Sequence, residues 1–228
     1  MSYCLIILLG TLLLSLPFAT QGPGSTPVTD CFFTATSATC VTGLVRYDTA
    51  THWTLFGQLV ILSMIQIGGV GFMTIAIVIM AFTKRKITLS QRSIMQNSIS
   101  APQIGGIVRM SRFIVMGTLL VEGIGALLLS FDFIPRFGWR KGIYYSIFHA
   151  VSAFCNAGFD LMGISAPFSS LTAYNSDPLV CITVIILIII GGLGFLVWDD
   201  VTNHKFDFKK YSLHSKLVFV TNFVLIVG

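Results

Sequence analysis

A chain of 228 residues that is 54% hydrophobic and only 10% charged, with a mean hydropathy of +0.86, lies far from the soluble mix of about 25% charged residues. That composition excludes an ordinary water-soluble domain, and at roughly 20 residues per crossing the length holds four or five membrane spans. The formal charge of +5 comes from 14 lysines and arginines against 9 aspartates and glutamates, and where those cations fall in the chain decides what they mean.

Cys4 to Phe18 is the first predicted span, a little short for a hydrocarbon core of ~30 Å at ~1.5 Å per residue. A signal peptide is the weaker reading. No basic residue precedes the apolar run, and Phe18-Ala19-Thr20-Gln21-Gly22-Pro23 offers no small-x-small cleavage site. Gln21 to Thr29, broken by Gly22, Pro23, Gly24 and Pro27, is a connection. Thr29 or Asp30 then stands where it can cap a short helix running to about Ala38. Thr39 to Leu44, small and β-branched with one glycine, reads as an extended strand. Helix and strand together are too short to cross a bilayer yet sit between segments that can, which predicts a re-entrant loop. Irregular backbone at membrane depth is tolerated only inside protein or along a watery path.

The polar stretch Val45 to Trp53 leads to a second span, Thr54 to Phe82, interrupted at Gly68, Gly69 and Gly71. Thr83 to Arg112 follows with Lys84, Arg85, Lys86, Arg92, Arg109 and Arg112 and no acid. A basic loop beside span ends marks the cytoplasmic side, and this explains the run more simply than nucleic-acid binding. Phe113 to Phe131 is the third span, with Glu122 alone at its middle, and Asp132 to Lys141 is a loop. A second short helix, about Gly142 to Ala153, and a second strand come next. Asp160 to Asp177 is a polar connection, Leu179 to Trp198 a fourth span, and Asp199 to Lys216 is charged. Leu217 opens a further apolar helix.

The chain repeats itself. Phe33, Ala35, Ser37, Ala38, Cys40 and Gly43 recur 115 residues later as Phe148, Ala150, Ser152, Ala153, Cys155 and Gly158. Each copy is followed by an apolar helix with one interruption, Gly68-Gly69-Val70-Gly71 and Gly191-Gly192-Leu193-Gly194. Such self-similarity sets the fold class before any other signal. The expectation is an all-α membrane protein of tandem span, pore-helix, filter-strand and span repeats, over residues 1–98 and 99–198, with 199–228 a cytoplasmic loop and the start of a third. If each loop enters and leaves on one face, both open outward. Ten of the 14 cations then lie inside, Lys205, Lys209, Lys210 and Lys216 joining the six above.

Span, pore helix, strand and span is the plan of a cation channel. A pore helix entering from outside points its partly negative C-terminal end inward, and the carbonyls that follow can replace the hydration shell of a monovalent cation. Gly43 and Gly158 supply the backbone freedom this needs. The alternative, small residues packing helices together, explains one loop better than two with matching flanks. The double-glycine segments lack phosphate-loop spacing and suit bending or close helix approach. His149 has no ligand-spaced partner and reads as a structural imidazole. Cys4, Cys31, Cys40, Cys155 and Cys181 show no Cys-x-x-Cys spacing and read as small buried residues. No nucleophile and base pair, metal motif or nucleotide loop is present in the sequence, so an enzyme is not expected. A water or glycerol channel would need Asn-Pro-Ala in both loops, and no asparagine here precedes proline.

Thr34 to Leu44, Ile65 to Thr74 and Ser152 to Asp160 resemble the Trk/Ktr/HKT superfamily of potassium transporters, most closely its KtrB-type membrane subunit. The resemblance covers almost the whole chain. It implies four repeats around one pore, of which two and the start of a third are present here, and a single filter glycine in each. By position it makes the carbonyls of Val41, Thr42 and Gly43, and of Asn156, Ala157 and Gly158, the potassium ligands. It further implies multi-pass insertion in the cell membrane, potassium as substrate with sodium as a coupling ion, no tightly bound cofactor, a homodimer, and a cytosolic nucleotide-binding regulatory subunit. It sets Glu122 on an outer helix away from the pore, where a packing hydrogen bond is expected. A non-conducting truncated membrane subunit, or another re-entrant-loop channel, is the alternative.

Overall fold

The computed structural model describes residues 2–22, 24–71, 107–164, 166–204 and 207–227. Among them the chain forms α1 (Ser2–Leu14), α2 (Val28–Thr39), α3 (Thr49–His52), α4 (Leu55–Val70), α5 (Ile107–Phe137), α6 (Trp139–Phe154), α7 (Pro178–Gly192), α8 (Phe195–His204) and α9 (Leu213–Val227). The one β pairing among the described residues is an isolated bridge between Thr20 and Trp53. The protein is therefore all-α, and the two expected strands are corrected: Thr39 and Phe154 are still helical, and the residues after them are irregular. The boundary drawn between 98 and 99, and the basic run from Lys84 to Arg92, lie outside the described residues.

Two groups of three helices make the body. α1, α2 and α4 pack on one another, α5, α6 and α7 do the same, and the groups meet where α4 touches α5 and α6. Small side chains let the first group close up. Ala35 and Ala38 of α2 are fully buried, and a Cβ on Gly10 of α1 would lie 2.2 Å from Met64 Sδ of α4. In the second group Phe133 packs edge-on against His149 and Tyr174, with ring centroids 5.4 and 5.5 Å apart. Three buried or lipid-facing hydroxyls donate to carbonyls one turn back, Thr11 to Ile7, Thr36 to Phe32 and Ser63 to Leu59, so these present no free polar atom.

The outward faces are apolar. Leu5, Leu8, Leu9 and Leu12 of α1 and Leu119, Leu120, Ile124 and Leu127 of α5 are all exposed, a surface suited to hydrocarbon and ill suited to water. Met110–Phe137 in α5, 28 residues, is the helix among those described that is long and apolar enough to cross a bilayer unaided. The apolar stretches of α1, α4 and α9 are shorter. The fourth predicted span does not run straight to Trp198: α7 stops at Gly192, and α8 leaves at 95° to it. Gly194, with φ +86°, makes the corner. The capping role given to Thr29 or Asp30 is also corrected. α2 begins at Val28 behind Pro27 without a side-chain cap, and Asp30 lies inside its first turn.

Candidate functional site

α2 and α6 end in the same way. After the capping residues Cys40 and Cys155, Val41 and Asn156 adopt left-handed backbone, φ 56° and 57°. Their N–H groups donate to Ala38 and Ala153 at 3.4 and 3.0 Å, and those of Thr42 and Ala157 donate to Ser37 and Ser152 at 2.9 and 2.8 Å. This is a Schellman closure. Asparagine tolerates the left-handed region through local hydrogen bonding, whereas a β-branched valine there is a true outlier costing about 1–3 kcal/mol. Gly43 and Gly158 are left-handed again two residues on, φ 77° and 72°. Helix C-terminal ends, where the macrodipole is negative, thus run directly into two irregular segments of matching backbone.

The two segments also meet. A Cβ on Gly43 would stand 2.7 Å from the Ala157 carbonyl oxygen and 3.4 Å from Gly158 Cα, and one on Gly158 would stand 3.4 Å from Gly43 Cα. Of the six residues expected to form a filter, Thr42, Asn156 and Gly158 are exposed, Val41 and Gly43 half-buried, and Ala157 buried.

The glycine motifs seat these loops. A Cβ on Gly68 of α4 would fall 2.1 Å from the Thr39 carbonyl oxygen, and one on Gly191 of α7 would fall 1.8 Å from that of Phe154. Thr39 and Phe154 are the last helical residues of α2 and α6, so each double glycine takes the end of a short helix at backbone contact. Gly69 makes a close approach across the two groups, to a side chain, its Cβ position being 2.4 Å from Cys155 Sγ. Gly71 and Gly194 have positive φ, 87° and 86°; the first caps α4 and the second turns the chain between α7 and α8. Close approach and bending, as expected from the sequence, are both present.

Beyond the glycines the loops are tied back differently. In the first, Asp30 holds Arg46 Nη1 at 2.9 Å and accepts the Tyr47 hydroxyl at 2.8 Å. Accepting that hydroxyl, the carboxylate raises the Tyr47 phenol above its ordinary pKa. In the second, the Ser152 hydroxyl donates to Phe159 O at 2.5 Å, and His149 Nε2 accepts the Leu161 N–H at 3.3 Å while its Nδ1 faces Tyr145 O at 2.7 Å. Those partners fix one neutral tautomer and bear out a structural imidazole. Asp48 joins the loops' outer connections: it caps α3 through Ala50 and Thr51 and accepts the Phe168 N–H at 2.9 Å.

Glu122 makes its expected hydrogen bond, from Gln66 Nε2 to Oε2 at 3.1 Å. It lies on α5. Its other oxygen lies 4.0 Å from Cys155 Sγ, beside the second loop, and the side chain borders a cavity of about 380 Å³ with Ser63 and Gln66. The cysteines are also more varied than the sequence suggested, since Cys31 and Cys155 are buried while Cys4 and Cys40 are exposed. Sequence reasoning missed the Asp30 pair and the Gly43–Ala157 contact. The one signal for the first was an acid in an apolar short helix with the nearest cation just past the loop.

Two short helices that end in matching left-handed loops, each seated on a glycine-notched apolar helix, belong to an all-α membrane protein. The chain belongs to the TrkH family of cation transport proteins, whose pattern matches residues 8–225, a transport family rather than an enzyme family. It is 44% identical over 226 residues to the potassium/sodium uptake protein NtpJ of Enterococcus hirae, covering 99% of this chain and 49% of that one. To the Ktr system potassium uptake protein B of Bacillus subtilis it is 42% identical, covering 98% and 48%, and to that of Vibrio alginolyticus 36%, covering 100% and 49%. The chain spans about half the length of the curated relatives it matches.

Proposed function

We propose that this chain supplies two of the four pore-loop repeats of a potassium-selective uptake system of the Ktr/Trk type, inserted as a multi-pass protein in the cell membrane. The observation that carries the reading is the meeting of two loops of matching backbone at Gly43 and Ala157. One loop could be a packing accident. Two loops that share φ angles and touch at their glycines are what a ring of carbonyls around one axis requires. The carbonyls of Val41, Thr42, Gly43, Asn156, Ala157 and Gly158 are the ligands in this reading, replacing the hydration shell of potassium. Glycine is needed because a Cβ at Gly43 would strike a carbonyl of the neighbouring loop.

Orientation follows from the basic run 84–112, which lies inside by the positive bias of short cytoplasmic loops. The two loops therefore open toward the outer face, and the C-terminal ends of α2 and α6 point inward from it. Sodium is proposed as a coupling ion, supported by the name potassium/sodium uptake protein carried by one relative. A homodimer docked on a cytosolic nucleotide-binding regulator is the proposed assembly, supported by likeness to proteins named as parts of a Ktr system. The test is Rb+ and Na+ uptake by the four-repeat transporter in cells lacking their own potassium uptake. Gly43→Ser and Gly158→Ser should each lower the preference for Rb+ over Na+ while the protein still reaches the membrane. An unchanged preference in both variants would remove these loops from the filter.

A further inference from the structure

We propose that Asp30 is a positioning residue for the first loop: through Arg46 and Tyr47 it fixes the far end of the segment carrying Val41, Thr42 and Gly43, and thereby sets how strictly that loop discriminates between ions. The proposal rests on the filter reading above and adds to it a residue outside the filter.

The loop is held at two places. Its near end is closed by the N–H groups of Val41 and Thr42 on Ala38 and Ser37, and the Thr42 hydroxyl also reaches the Ser37 oxygens at 3.2 and 3.1 Å. Its far end is the Asp30 carboxylate, only 3% exposed, with one oxygen on Arg46 and the other on Tyr47. Tyr47 is itself fixed, its ring stacked on His52 at 4.0 Å and 8°, and His52 Nε2 meets Thr26 Oγ1 at 2.8 Å. Thr26 stands just before α2. The contacts thus close a circuit from the start of α2, through the connection beyond the loop, back to its first turn. Between the anchors, among the described residues, no hydrogen bond holds Gly43, Leu44 or Val45. Where those carbonyls lie is decided by the two ends and by the packing of Gly43 on Ala157 and Gly158.

The second loop shows that the far anchor recurs with different chemistry. Arg46 and Leu161 each stand three residues after the loop glycine, and each is bound back to its own short helix. There the anchor is neutral, made by His149 and Ser152. In the first loop it is an ion pair with one member buried and the other, Arg46, 63% exposed. Buried and exposed partners are unequal when lost. Taking away Arg46 leaves a buried carboxylate short of a partner, whereas neutralising Asp30 leaves a cation that water can solvate. Arg46→Gln should therefore disturb the loop more than Asp30→Asn.

Rb+ and Na+ uptake by the four-repeat transporter, at matched amounts in the membrane, decides. Asp30→Asn and Arg46→Gln should lower the Rb+/Na+ preference about three- to tenfold, the scale of one ordinary hydrogen bond lost, Arg46→Gln the more. Tyr47→Phe should lower it less. The double variant should be no worse than the worse single, because the pair acts as one unit. If Asp30→Asn fails to insert, Arg46→Gln and Tyr47→Phe, both changed at the surface end, carry the test. Unchanged preference in these variants while Gly43→Ser lowers it overturns the role of Asp30 and leaves the filter reading standing. Unchanged preference in all of them, Gly43→Ser included, overturns both. Uptake of the two ions falling in equal proportion means damage to the fold alone and also overturns it.

Discussion

At the residue scale the site depends on polar groups placed where an unpaired one is costly. Glu122 is buried with Gln66 as its amide donor, and the two sides of that bond are not equivalent. Gln66→Leu strands a carboxylate in an apolar setting, at a cost of about 1–3 kcal/mol. Glu122→Gln keeps the shape and an amide pairing and should cost less. Thermal unfolding of the detergent-solubilised protein checks the order: a lower Tm for Gln66→Leu than for Glu122→Gln is expected, and the reverse would show that Gln66 is not the stabilising partner. Glu122 itself is legible in the sequence as a lone intramembrane acid. Its nearness to Cys155 is not, because Cys155 lies 33 residues on, just past the end of α6, and comes beside Glu122 only through the packing of α6 on α5, which no periodicity encodes. Asp30 is hidden for a similar reason. Its position suits an N-cap, and only the path of the chain beyond Gly43 brings Arg46 and Tyr47 back to it.

At the element scale the double glycines fix how closely the longer helices approach the short ones. Gly68→Ala and Gly191→Ala each place a methyl about 2 Å from a backbone carbonyl oxygen that no rotamer change can move. Overpacking of this kind costs typically about 1–3 kcal/mol and more where backbone must shift. Both variants should lose folded protein, measured as the monodisperse fraction after extraction. Gly123→Ala on α5, where a Cβ meets nothing within 4 Å, should be tolerated. Equal loss in all three would mean that helix approach is not what the motif provides. The motif and its recurrence are visible in the sequence, as are the ends of α2 and α6 to within a residue or two. The conformation after those ends is not. Thr39 to Leu44 has strand-forming side chains, yet no neighbouring strand is there to pair with among the described residues, and the Schellman closure on Ser37 and Ala38 satisfies the backbone locally instead. Propensity measures fit to a pleated surface, and here there is none.

At the scale of the whole molecule, two three-helix groups present lipid-facing leucines outward and bring their loop glycines together inside. The class of fold is readable from composition and from the 115-residue recurrence. The straightness of the helices is not: a left-handed glycine is invisible in a hydropathy pattern, so α7 and α8 read as one span although Gly194 turns the chain by 95°. In the proposed function the two loops hold potassium by their backbone carbonyls. The measurement that tests it most directly is anomalous diffraction from crystals of the four-repeat transporter soaked in Rb+. Density bounded by the carbonyls of Val41, Thr42 and Gly43 on one side and of Asn156, Ala157 and Gly158 on another, and lost when Rb+ is exchanged for Na+, is the predicted result. Rb+ ordered elsewhere along the pore with none between these loops would contradict it.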